Sequence, residues 1–65
     1  MELWSGEVEV KHATDKALLV EYANFEFWVA ISLIHEYSEI YKSDQIGETG
    51  ELIIPEWLAL EAGVY

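Results

Sequence analysis

Polar and apolar residues alternate from Glu7 to Val10, with the two glutamates on one side and Val8 and Val10 on the other. Period two marks a half-buried strand, because successive side chains of extended chain point to opposite faces. Two further runs, Lys16 to Tyr22 and Phe25 to Ile31, are rich in β-branched and aromatic residues and flank Ala23-Asn24. They predict a β-hairpin. Asn tolerates the left-handed backbone that a tight loop needs; Ala is a poor first loop residue, which leaves a slightly longer loop open. A two-residue loop would set the register. Tyr22 then faces Phe25, Val20 faces Phe27 and Leu18 faces Val29 on a core face. Glu21 faces Glu26, Leu19 faces Trp28 and Ala17 faces Ala30 on the other. Two directly opposed glutamates are mildly destabilising, so negative charge is gathered here at some cost.

In the second half, His12 to Asp15 having served as a connection, Ser32 to Tyr37 reads as a turn or a single helical turn and Ser38 to Lys42 as a strand. Ser43 to Gly50 is loop, and Glu51 to Ile54 a short strand. Pro55 is expected to open a helix, where its missing N–H costs nothing, with Glu56 against the positive helix end and Gly63 as the stop. So short a helix must pack on something, and Leu19 and Trp28 are the expected docking site. The fold class is mostly β: a small curled antiparallel sheet or an SH3/OB-like barrel of four to five strands with one short C-terminal helix. The barrel is the preferred picture and an open sheet with the helix on one side the competing one.

Composition narrows what such a domain can do. The 65 residues form a single small domain, too small to enclose a deep cleft, so an enzyme is not expected. Thirteen Asp and Glu stand against three Lys and no Arg, for a net charge of −10. Direct nucleic-acid binding through phosphates and attachment to anionic membranes both need cations, and both are excluded as expectations. There is no Cys, the N-terminal residues do not read as a signal peptide, and no apolar run approaches the ~20 residues that span a bilayer. His12 and His35 fit no catalytic signature, and no catalytic residue or cofactor is assigned. Asp44, Glu48 and Glu51 could offer oxygen ligands to a cation, but their spacing is not that of a calcium loop; a solvated acidic loop is the favoured reading and no metal is expected.

Two stretches resemble a known pattern. Lys16-Ala17-Leu18-Leu19-Val20 followed by Trp28 to Ile34, and the ending Gly47-x-x-Gly50-x-Leu52-x-Ile54-x-Glu56-Trp57-Leu58-Ala59, are similar to small, largely uncharacterised β-rich proteins of bacterial viruses and mobile elements. The resemblance covers about half the chain. It departs at the hairpin turn, where those proteins usually have Gly, and at Ala30, where they have Pro. It implies a shared small β fold and a viral or mobile-element setting, hence the cytoplasm of a host cell, and carries over no catalytic residue.

Charge and aromatics are the remaining signals. Glu7, Glu9, Glu21, Glu26, Glu36, Glu39, Asp44 and Glu48 are expected to present acidic faces to a partner. Rows of carboxylates attract a basic groove and steer encounter with it. Solubility alone also favours surface charge, but it more commonly mixes signs. Trp4, Tyr37 and Tyr41 are expected as aromatic anchors, with Tyr65 also partly exposed, whereas Trp28 and Trp57 are expected in the core. The leading expectation is a small acidic inhibitor that blocks a basic nucleic-acid-binding surface of a host protein, as a nucleic-acid mimic or an anti-CRISPR-like protein. The alternative is a structural or assembly module that docks or self-associates, as a homodimer for instance, through strand edges and exposed aromatics.

Overall fold

Extended chain begins at Leu3 and turns back on itself three times. The structure, a computed structural model, describes residues 2–65. Its strands are β1 (Leu3–Ala13), β2 (Ala17–Tyr22), β3 (Phe25–Ala30) and β4 (Thr49–Pro55), followed by the helix α1 (Glu56–Ala62). A single 3₁₀ turn, Ile31–Leu33, follows β3 and provides the expected helical turn, one residue early. All neighbours are antiparallel and the sheet order is β3-β2-β1-β4.

The hairpin forms with the expected register, Tyr22 opposite Phe25 through Ala17 opposite Ala30. Its loop has two residues despite the alanine: Ala23 and Asn24 both take positive φ, 51° and 69°. That conformation matches the twist of the flanking strands, and Ala23 bears the steric cost of it. β1 is longer than the alternation at Glu7 to Val10 suggested, reaching Ala13, with a register break against β2 between Val10 and His12.

One face of the sheet is closed. Val8, Val10, Leu18, Val20, Val29, Leu52 and Ile54 are at most 1% exposed and pack into one cluster with Trp4, Phe27, Ile40 and Ala59 of α1. The helix therefore covers this face and not Leu19 and Trp28. Seven aliphatic side chains on one side outweigh Leu19, Trp28 and Ile53 on the other, and there is one helix to place among the described residues. Pro55 still belongs to β4, opposite Leu3, and caps α1 instead of opening it. Gly63 ends the helix at φ 88°, its N–H donating to Ala59 and Leu60 carbonyls.

The sheet is open, so the competing picture holds and no barrel closes. Closure would need β3 to pair with β4, and the outer edge of β4 is already occupied. Residues 38–42, expected as a strand, run beside that edge without forming a ladder. Ser38 Oγ accepts the Ile53 N–H (2.8 Å) and donates to the Ile53 carbonyl (3.2 Å), which also accepts the His35 N–H. The Glu39 carboxylate accepts the Glu51 N–H at 2.7 Å, and the Glu39 and Ile40 N–H groups donate back to the Glu51 carbonyl. Side chains replace half of the ladder, which frees the backbone to swing Ile40 into the core. Buried Gln45 holds the loop in this shape: its Oε1 accepts the Tyr41 and Lys42 N–H groups and its Nε2 donates to the Glu39 carbonyl.

Candidate functional site

The strands that bury valines on one side carry glutamates on the other. Glu9 lies opposite Glu21 across β1 and β2, and Glu21 lies opposite Glu26 across β2 and β3. Three carboxylates thus form one row across three strands, spaced by about 4.8 Å of strand separation. Glu7, two residues before Glu9, lies opposite Glu51 of β4 on the same side. With no helix over this face, all five groups reach solvent.

One cation answers them. Lys11 Nζ lies 3.3 Å from Glu21 Oε1 and 3.6 Å from Glu9 Oε1. The register break beside Lys11 lets it lean over the row. The Glu21 carboxylate that takes its hydrogen bond, and the fields of Glu9 and Glu21, hold its ammonium above the ordinary lysine range. Glu7 and Glu26 have no basic partner among the described residues. Glu7, Glu9 and Glu21 line a shallow depression with Ala23, Asn24 and Thr49.

The other four expected acids lie in the connection between β3 and β4, not on this face. Glu39 closes the β4 edge, so its role is in the fold. Glu48 accepts a hydrogen bond from Gln45 Nε2 at 3.2 Å, and Asp44 lies 3.9 Å from Lys42 Nζ. Glu36 is exposed without a described partner. Glu51, an acid of the same second half, joins the sheet face because the β1–β4 register, a contact between distant segments, sets it opposite Glu7.

The aromatics divide differently from expectation. Trp4 is not an anchor: it is 8% exposed, edge-on to Tyr22 at 5.0 Å and to Phe27 at 6.4 Å. Gly6 makes this possible, since a Cβ there would stand 2.7 Å from both the Trp4 and Tyr22 rings. Trp28 and Trp57, expected in the core, are about half exposed. Trp28 loses its cover because α1 sits on the opposite face, and it stands with half-buried Leu19 beside the glutamate row. Tyr37 is 77% exposed, against the His35 ring, and Tyr41 and Tyr65 are also exposed.

Among the described residues no three His, Asp or Glu side chains converge to hold a cation, so Asp44, Glu48 and Glu51 do not form a ligand set. No described helix is long and apolar enough to cross a membrane. Comparison of the chain with protein-family models, with curated proteins and with solved structures returned no match.

Proposed function

We propose that this is a small acidic binding protein of viral or mobile-element origin that works in a host cytoplasm by occupying a basic, nucleic-acid-binding surface of a host protein. The observation that carries the reading is the row Glu26, Glu21, Glu9 with Glu7 and Glu51 beside it, on a sheet face with no cover and a single lysine. Opposed glutamates cost stability, and a face under selection for folding alone gains from lysine at such positions. Carboxylates at strand spacing offer a basic groove a rigid series of acceptors, and the preset geometry saves the ordering entropy that a flexible acidic tail must lose. Trp28, half exposed beside the row, supplies an apolar anchor of the kind enriched in binding hot spots. The mechanism is stoichiometric blocking; no bond is made or broken.

The test is competition. A host protein captured by the purified chain should be displaced by duplex DNA and by raised salt. The double variant Glu7→Lys with Glu26→Lys should lose capture while keeping the wild-type circular dichroism. A captured protein that binds DNA and this chain at the same time, or binding that survives both the double variant and high salt, overturns the reading.

A further inference from the structure

The two edges of the sheet differ. On β4 the outward groups of Glu51 and Ile53 are satisfied by His35, Ser38, Glu39 and Ile40. On β3 nothing plays that part. The loop with two left-handed residues makes Tyr22–Phe25 a hydrogen-bonded pair, and alternation then makes Val20–Phe27 and Leu18–Val29 hydrogen-bonded pairs too. The Ile31 N–H to Lys16 carbonyl bond, 2.8 Å, continues the alternation. The N–H and C=O groups of Glu26, Trp28 and Ala30 therefore point away from β2. The Ala30 carbonyl begins the 3₁₀ turn that follows; the other five groups are in no backbone hydrogen bond with a neighbouring segment among the described residues. An open edge with Phe25 and Trp28 exposed along it is a template for another strand.

We infer that the occupant of this edge is a second copy of the chain, joined antiparallel through β3 with Trp28 on the two-fold axis. β3 is complementary to itself in this register. Trp28 meets Trp28 of the second copy, and Glu26 meets Ala30, so all three outward residues pair and no glutamate faces a glutamate across the seam. A register centred on Glu26 sets the two Glu26 residues against each other, and one centred on Ala30 leaves Glu26 unpaired. The product is an eight-stranded sheet in which the β4 edges, already capped, are the only ends.

This inference stands apart from the proposed blocking function, and salt separates the two. Two copies each at −10 repel, so self-association strengthens with salt, whereas capture of a basic partner weakens. Sedimentation equilibrium of the whole chain, from micromolar to millimolar protein, at about 0.05 and about 0.5 M NaCl, should show a monomer–dimer equilibrium that shifts to dimer with both protein and salt. Trp28 and Ala30 amides should gain protection from hydrogen exchange as the dimer forms. Ala30→Pro removes one edge donor per copy at a residue whose φ, −69°, already suits proline. It should keep the wild-type urea midpoint and weaken dimerisation at least tenfold. Trp28→Lys, which leaves the backbone unchanged, should do the same and serves if Ala30→Pro lowers stability. A chain that stays monomeric throughout, assembles beyond a dimer, or dimerises unchanged as both variants overturns the inference.

Discussion

The two faces of this sheet are built from the same strands, residue by alternate residue, and meet opposite fates. Val8, Val10, Leu18 and Val20 lose all contact with water beneath α1 and the Ile40 loop, while Glu7, Glu9, Glu21 and Leu19 stay at the surface. The stability of so small a domain thus rests on one face, and the other is released to carry like charge. Opposed glutamates each cost a few tenths of a kcal/mol, and the apolar burial on the far side offsets a few such pairs.

Two neighbouring leucines report on the two faces separately. Leu18→Ala empties a fully buried site and should destabilise by about 2–5 kcal/mol, enough to unfold much of a domain with a thin margin. Leu19→Ala, one residue along and only partly buried, should cost under about 1 kcal/mol; equal urea midpoints for the two would refute the one-sided core. Next in size is Gly6→Ala. Its methyl group would meet the Trp4 and Tyr22 rings at 2.7 Å, so a loss of about 1–3 kcal/mol is expected, with a changed Trp4 signal in near-ultraviolet circular dichroism. Ala23→Gly relieves a left-handed alanine without touching either face and should raise stability by about 1 kcal/mol in thermal melts.

The smallest effects test the acidic face itself. Glu26→Lys converts a repulsive cross-strand pair into an attractive one and should add about 0.2–1 kcal/mol while reducing capture of a basic partner. A variant that is both more stable and less able to bind separates function from folding at a single residue. Lys11 gives the pH arm. Its ammonium is held above the ordinary lysine range in the folded chain, so its contribution is fully present below that range and is lost as pH rises through the raised value. Alkaline titration should therefore show a small loss of stability that Lys11→Met does not share.

Much of this was legible in the residues, for a local reason. A two-residue loop leaves no freedom of parity, so Ala23-Asn24 determined every pair of the hairpin, including Glu21 against Glu26. The end of the helix at Gly63 and the alternation at Glu7 to Val10 are equally local, because each depends on backbone preferences within a few residues. The remaining features depend on segments far apart in the chain. Alternation divides residues between two faces without saying which face a lone helix will cover, so Trp28 was expected inside and stands outside, and Trp4 the reverse. A run such as Ser38 to Lys42 looks the same whether its backbone joins a ladder or its side chains cap one. Ser38 and Glu39 took the second course because β4 offered an unpaired edge and the core needed Ile40. That same capping kept the sheet open and left β3, among the described residues, as the edge on which a further strand can add.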